Sequence, residues 1–372
     1  MLTSAGCRAR LARFRERIEG EWDAAVIHAP EHLLYLANFY ALPNSLNVHG
    51  SSFLLVERDG PATLFTDNWL AKESRAAVDA TVVVDWYTCE RPALHRALAV
   101  GEALAKRLRA LRVQALAAEL GHLPVHAAAA APRHLEVEPL LRTMREVKDT
   151  DEIEAIQRGI RTAEAVHAAS RGLLEPGITE LAYYGRLLPA GVEAAGAPFV
   201  MMCDLASGPR AAEGGGPPTK RVLEEGDLVI LDTFPLVEGY RGDITNTLVV
   251  GGKPTREQTD LHGLVLAALL AGEALLQPGT PVRDVYQAVD SVFRAAPGKR
   301  SLVHHAGHAI GLGHPEAPEI VPDSDRVLEA GMVVTLEPGL YGAQGGGLRL
   351  EHDYLITENG HRRLSTHELG LA

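Results

Sequence analysis

Apolar and polar positions follow two rhythms over the first 140 residues. Residues 8–21 carry charges around an apolar stripe and predict an amphipathic helix, and residues 94–111 predict a second. Short runs rich in Val, Ile and Phe at 24–29, 52–56 and 81–87 predict strands. The region reads as an α/β domain without a chemical motif of its own. A polar, charged segment at 142–151 then leads into a further helix, with Thr150 and Asp151 as its N-cap region. The expected domains are therefore 1–145 and 146–372.

From residue 151 onward the pattern repeats. Arg221-Val-Leu-Glu-Glu-Gly-Asp-Leu-Val-Ile-Leu-Asp232 and Arg326-Val-Leu-Glu-Ala-Gly-Met-Val-Val-Thr-Leu-Glu337 share seven of twelve residues at an offset of 105. Upstream, Leu173-Leu-Glu-Pro-Gly177 matches Leu275-Leu-Gln-Pro-Gly279 at an offset of 102. Two collinear pairs predict two similar halves, each running helix, Pro-Gly turn, helix and strands. Halves of this kind face one another and supply equivalent groups to a site between them.

Each half ends its first strand on a carboxylate, Asp232 after Leu228-Val-Ile-Leu231 and Glu337 after Val333-Val-Thr-Leu336. Each then adds another after a hairpin-like excursion, Asp243 eleven residues on and Glu351 fourteen residues on. Turn residues lie between, Glu238-Gly239 and Gly345-Gly346-Gly347, so antiparallel pairing would bring each pair together. A carboxylate closing a buried apolar run is costly unless it is paired or bound to a cation. Four of them side by side repel, and divalent metals are the simple resolution. Between Asp243 and Glu337, a Gly-rich stretch holds His304, His305, His308 and His314 within eleven residues. Neutral imidazole suits Zn, Mn, Fe or Co, and composition alone does not choose among the four.

The chain of 372 residues is longer than one core usually supports, in keeping with two domains. Its 48 acidic against 36 basic residues give a net charge of −12, which argues against nucleic acid and anionic membranes as partners. The longest nearly apolar stretch, residues 263–272, is too short to span a bilayer and is Ala-rich like a packed helix. The first ten residues have no apolar run behind Arg8 and Arg10, so no secretory signal is expected. The three cysteines, Cys7, Cys89 and Cys203, form neither a disulfide framework nor a CxxC site, which suits a reducing cytoplasm.

Five segments together, Gly226-Asp-Leu-Val-Ile-Leu-Asp232, Gly239-Tyr-Arg-Gly-Asp243-Ile-Thr-Asn-Thr247, Gly307-His308-Ala-Ile-Gly-Leu312, Glu337-Pro-Gly-Leu-Tyr341 and Arg349-Leu-Glu351, carry a family resemblance. In order and spacing they resemble the pita-bread metallopeptidases, which include Xaa-Pro dipeptidases (prolidases), Xaa-Pro aminopeptidases, methionine aminopeptidases and creatinase. The resemblance covers about residues 150–372. Leu33-Leu-Tyr35-Leu-Ala-Asn-Phe39 is similar to the creatinase/prolidase N-terminal domain, whose presence argues against the shorter methionine aminopeptidases. The implied fold is an α/β N-terminal domain plus an α+β pita-bread C-terminal domain built from two similar halves around an antiparallel sheet.

The same resemblance implies a function and a site. Two divalent ions (Mn, Zn or Co) would be held by Asp232 on one side and by His308 and Glu337 on the other, with Asp243 and Glu351 bridging both. A hydroxide between the metals would attack the peptide bond preceding proline, with Glu337 as general base. His304 would donate a hydrogen bond to substrate or intermediate, while Arg349 and Tyr341 would stand behind the ligands, Arg349 holding a ligand carboxylate in place. The expected substrate is a small proline-containing peptide, X-Pro dipeptides ahead of X-Pro-Y peptides. A homodimer is implied as well, since N-terminal domains in this family often cap a partner's site; residues 41–48 and 49–53 are the candidates to reach across.

Two positions depart from the family pattern. Gly215, in Ala212-Glu213-Gly-Gly-Gly-Pro217-Pro218, stands where a His before the first metal strand is usual. Pro315 stands seven residues after His308, where a second His is usual, and His314, one residue early, is the candidate for that catalytic role. Both usual histidines assist the intermediate, so substrate preference and rate are open at these positions. The glycine run reads either as a loop over the pocket or as inert surface. A metal-dependent lyase or non-peptide hydrolase on the same fold, or a non-catalytic binding protein, are the other readings. Without metal the four carboxylates should repel, leaving the apoprotein less stable than the metal-loaded form.

Overall fold

Helix α1 (Ser4–Arg17) opens four residues before the apolar stripe because the Thr3 side chain accepts the Gly6 N–H at 3.0 Å, and it ends where Ile18 turns to extended backbone. This is a computed structural model, and it describes residues 2–40, 52–90, 92–93, 95–298, 300–343 and 346–372. The chain divides into two compact units, Met1–Arg145 and Glu146–Ala372.

The first unit continues through β1 (Ala24–Ile27), α2 (Pro30–Ala37), β2 (Phe53–Glu57), β3 (Ala62–Asp67), β4 (Ala80–Val84), α3 (Arg96–Leu111), β5 (Ala115–Ala118), α4 (Val125–Ala128), β6 (Arg133–Glu136) and α5 (Glu138–Glu146). Its six strands form one mixed sheet in the order β4-β3-β2-β1-β5-β6. The pattern of Val, Leu and Phe on β1 and β2 packs against Val100, Leu104 and Leu108 of α3, spaced four residues apart on one helix face. Residues 41–51, among the segments expected to reach a partner, lie outside the described residues.

The second unit begins with α6 (Thr150–Leu173). Its N-cap is Asp149, one residue before the expected pair, since the Glu152 side chain reaches back to the Asp149 N–H at 3.0 Å in a capping box. Then follow α7 (Glu180–Ala195), β7 (Phe199–Val200), β8 (Cys203–Ser207), α8 (Pro209–Ala212), β9 (Leu228–Thr233), β10 (Leu236–Val237), β11 (Tyr240–Arg241) and β12 (Ile244–Val249). The second half runs α9 (Arg256–Glu273), α10 (Val282–Ala295), β13 (His308–Ala309), β14 (Glu316–Glu319), β15 (Val333–Leu336), β16 (Gly339–Ala343), β17 (Gly346–Arg349), β18 (His352–Thr357) and β19 (Gly360–Arg363).

Backbone hydrogen bonds make the sequence repeat a structural one. In the first half Gly177 N–H donates to Leu223 O and Leu223 N–H to Ile178 O; in the second Gly279 N–H donates to Leu328 O and Leu328 N–H to Thr280 O. Each Pro-Gly turn is thus zipped to its own Arg-Val-Leu-Glu segment. Gly226 N–H then donates to Val250 O, and Gly331 N–H to Ile356 O, at the start of each half's main hairpin. Each hairpin packs on its half's helices: Val229 and Leu231 against Val166, Tyr183 and Leu187, and Val334 and Leu336 against Val265, Val289 and Phe293. Among the described residues no helix is long and apolar enough to cross a membrane; the Ala-rich stretch 263–272 lies within α9.

Candidate metal centre

The first hairpin explains how Asp232 and Asp243 meet. Strands β9 and β12 pair antiparallel with Asp232 opposite Thr245 and Thr233 opposite Ile244, so Asp243 stands one step beyond the last pair. The chain turns between them through β10 and β11, where Glu238 and Gly239 both take positive φ, 49° and 91°, as a two-residue hairpin turn requires. Helix α6 comes so close that a Cβ on Gly159 would lie 2.3 Å from the Gly242 nitrogen. Only paired glycines allow that approach, and it fixes the backbone just before Asp243.

The second hairpin repeats the device with three more residues. Strands β15 and β18 end their ladder at Leu336 opposite His352, leaving Glu337 and Glu351 one step beyond. The extra length is taken up by a hairpin of its own, β16 with β17. His308 opens β13, which runs beside β15 with Ala309 opposite Val334. The position before it must be glycine, since a Cβ on Gly307 would lie 2.0 Å from Thr335 O.

These strand ends converge at a cavity of about 620 Å³ lined by Asp232, Asp243, His308, Glu337 and other residues discussed below. Carboxylate oxygens of Asp232, Asp243 and Glu351 lie within 4.8 Å of one another, and so do ligand atoms of Asp243, His308 and His314. His308 Nε2 is 3.2 Å from Glu337 Oε1 and 3.5 Å from Asp243 Oδ2. All four carboxylates are buried, and each leaves one oxygen without a hydrogen-bond partner: Asp232 Oδ1, Asp243 Oδ1, Glu337 Oε1 and Glu351 Oε1.

The electrostatics follow from that crowding. Burial, then the neighbouring acids, push the carboxyls of Asp243 and Glu351 well above the usual range. Burial also lifts Asp232, which the Arg349 guanidinium draws back to about 6. Glu337 goes the other way: burial would raise it, but His305 and His308 beside it hold it well below the usual range. Orphaned carboxylate oxygens at this density, next to a neutral-capable imidazole, form a donor set that fits divalent cations.

The remaining residues named from the sequence surround this set. Arg349 donates from Nη1 to Asp232 Oδ2 at 2.5 Å, from Nε to the Tyr341 hydroxyl at 2.9 Å and from Nη2 to Gly214 O at 2.7 Å. His304 contacts the Tyr341 hydroxyl through Nε2 at 2.9 Å and the His305 carbonyl through Nδ1 at 2.6 Å. Burial lowers His304 to about 4, so its ring is neutral; Nδ1 faces a carbonyl and must donate, and Nε2 therefore accepts from Tyr341. His314 Nε2 lies 2.8 Å from Asp243 Oδ2, its ring stacked on Phe234 at 4.3 Å; burial lowers it to about 3. Glu213, Gly214, Gly215 and Pro315 line the cavity, so the glycine run forms part of the pocket wall.

Sequence reasoning missed two residues. Asp353 Oδ2 accepts the Asp243 N–H at 3.1 Å, while its own burial, the main cause, lifts its carboxyl well above the usual range. Its signal was a further acid two positions after Glu351. Thr245 donates its hydroxyl to Glu351 Oε2 at 2.6 Å, a contact visible only once the two hairpins are laid side by side.

Both units have counterparts among known proteins. The profile described as metallopeptidase family M24 matches residues 154–358, and that of the creatinase/prolidase N-terminal domain matches residues 10–148. An uncharacterised peptidase of Staphylococcus aureus (strain MW2) is 25% identical over 349 residues, 93% of this chain and 95% of the relative. The structure is similar to an Xaa-Pro dipeptidase from Bacillus anthracis, with a TM-score of 0.82, 25% identity and coverage of 98% of this chain and 100% of the other. It has the fold of the prolidase from Pyrococcus horikoshii OT3, with a TM-score of 0.81, 24% identity and coverage of 98% and 100%.

Proposed function

The chain belongs to metallopeptidase family M24, and from that premise we propose that this metal-dependent peptidase hydrolyses the peptide bond preceding proline, with two divalent ions at the centre and X-Pro dipeptides preferred to X-Pro-Y peptides. One observation carries the reading: four buried carboxylates each have an unpartnered oxygen, three of them, Asp232, Asp243 and Glu337, line one cavity with His308, and Glu351 stands beside Asp232 and Asp243. The likeness to an Xaa-Pro dipeptidase across nearly the whole chain supports the substrate class.

In this reading Asp232 holds one ion, His308 and Glu337 the other, and Asp243 and Glu351 serve both. Divalent ions bound there supply Lewis acidity toward the scissile carbonyl and make water acidic enough to react near neutral pH. Glu337, whose carboxyl lies well below the usual range beside His305 and His308, is the residue that would serve as general base. Arg349 keeps the Asp232 carboxylate ionised and aimed. His304, with Nε2 against the Tyr341 hydroxyl, orients Tyr341; donation to substrate requires that nitrogen to carry the proton.

The three cysteines are free, Cys7 and Cys203 buried and Cys89 exposed, and action in the cytoplasm belongs to the same reading. A homodimer belongs to the same reading, and light scattering on the purified protein checks it. The activity is tested by incubating the protein and Mn²⁺, Zn²⁺ or Co²⁺ with X-Pro dipeptides and X-Pro-Y tripeptides. Proline release from the dipeptides is the expected result, and no cleavage of either set overturns the reading. The glycine at 215 in the cavity wall favours, as a second reading, a lyase or non-peptide hydrolase, for which a screen of non-peptide substrates would show turnover while X-Pro peptides stay uncut.

A further inference from the structure

His314 stands closer to the candidate ligands than an auxiliary residue needs to be. Its Nε2 is 2.8 Å from Asp243 Oδ2, the same oxygen is 3.5 Å from His308 Nε2, and that nitrogen is 3.2 Å from Glu337 Oε1. Ligand atoms sharing one ion at about 2.0–2.2 Å are separated by roughly 3.0 Å at a right angle and roughly 3.4 Å at a tetrahedral one. The three contacts therefore have the lengths of edges of one coordination polyhedron. The two imidazoles meet nearly at right angles, 85° with centroids 5.1 Å apart, so both nitrogens converge without the rings colliding. Phe234, stacked on the far side at 12°, fixes the His314 ring in that orientation.

Asp243 supplies the second, independent observation. It is 2% exposed, and its Oδ1 has no partner while Oδ2 faces the two imidazoles. One oxygen is thus left for the all-carboxylate group with Asp232 and Glu351.

We infer that His314 is a direct metal ligand, joining His308 and Glu337 at one ion position beside that of Asp232, with Asp243 and Glu351 serving both. The inference rests on the metal-dependent peptidase reading and adds an imidazole to it. Two imidazoles shift that position toward Zn, Co or Fe and away from Mn, which carboxylates suit better. No imidazole then remains at the position after it, where Pro315 lines the cavity.

The test counts imidazoles on the ion. Proton NMR of the Co²⁺-loaded full-length protein shows one hyperfine-shifted, exchangeable N–H resonance for each ligating histidine. Two are expected in the unaltered protein, one in His314→Gln and one, a different one, in His308→Gln. A single resonance in the unaltered protein, removed by His308→Gln, overturns the His314 assignment while leaving the metal-dependent reading intact. The unaltered protein alone thus decides the question should His314→Gln fail to fold. Failure of the unaltered protein to bind Co²⁺ overturns the metal-dependent reading itself.

Discussion

Thr245 and Glu351 belong to different halves of the second unit, yet two hydrogen bonds join them, one donated by each. The Thr245 hydroxyl donates to Glu351 Oε2 at 2.6 Å, and the Thr245 carbonyl accepts the Glu351 N–H at 3.0 Å. A strand of one half thus orients a carboxylate of the other. Thr245→Val keeps the shape and removes the donor, leaving neither Glu351 oxygen hydrogen-bonded, since Oε1 already has no partner. Stability of the metal-free protein should fall by about 1–3 kcal/mol and metal affinity by roughly 10–100-fold. Urea unfolding and calorimetric titration with Zn²⁺ measure the two effects. Unchanged affinity would remove Thr245 from the support of the centre.

Arg349 should resist replacement by lysine. Its guanidinium serves Asp232, Tyr341 and Gly214 at once from three different nitrogens, which a single ammonium on a flexible stem does not reproduce. Arg349→Lys should lower kcat/KM at least about tenfold, the usual cost of disturbing groups that orient a ligand. Arg349→Ala should lose bound metal as well, because nothing then aims the Asp232 carboxylate. Elemental analysis alongside dipeptide kinetics separates these outcomes. A lysine variant with full turnover would show that one charge is all the site needs.

The four acids of the candidate centre were legible from the sequence because each sits at a place the chain pattern marks, whereas His308 was singled out among four histidines only by the family resemblance. Asp232 and Glu337 close apolar runs within a visible repeat, Asp243 and Glu351 follow at hairpin distance, and His308 lies in a Gly-rich stretch between them. What was not legible depends on register between strands far apart in sequence. Thr245 matters only because β12 lies beside the segment before β18, and Asp353 only because its side chain meets the Asp243 backbone. Helix ends slipped for a local reason: Thr3 and Asp149 accept or share cap hydrogen bonds that periodicity does not register. For His314 the residue count alone could not say whether it reaches the centre, whereas the structure places its Nε2 at 2.8 Å from Asp243.

Restoring a histidine at 215 should harm the protein. Gly215 has φ of 128°, a conformation that strains any residue with a side chain, and its Cβ would stand 3.3 Å from Asp204 Oδ2 and 3.4 Å from Arg349 Nη2. Gly215→His should cost about 1–3 kcal/mol and should not raise kcat toward X-Pro dipeptides. Thermal melting and steady-state kinetics give both numbers. A stable variant with higher kcat would mean that the loop adapts, and that only the missing imidazole limits the rate.

Metal removal should be felt more strongly as pH rises. In the metal-free protein the carboxyls of Asp243, Glu351 and Asp353 are well above the usual range, and Asp232 is at about 6. Unfolded, the same groups titrate near 4. Between those values the folded chain binds more protons than the unfolded one, so its stability falls as pH rises. Buried His367, held at about 4 chiefly by burial, acts in the opposite direction, since the folded state binds fewer protons there. That contribution is common to both forms and drops out of their difference. With metal bound the carboxylates are ionised against a cation, so no comparable loss occurs, and proton competition for the ligands also fades as pH rises. The gap in Tm between metal-loaded and chelator-treated protein should therefore widen from pH 5 to pH 8. A gap that stays constant or narrows over that range would mean that Asp232, Asp243 and Glu351 do not share their charge with a bound ion.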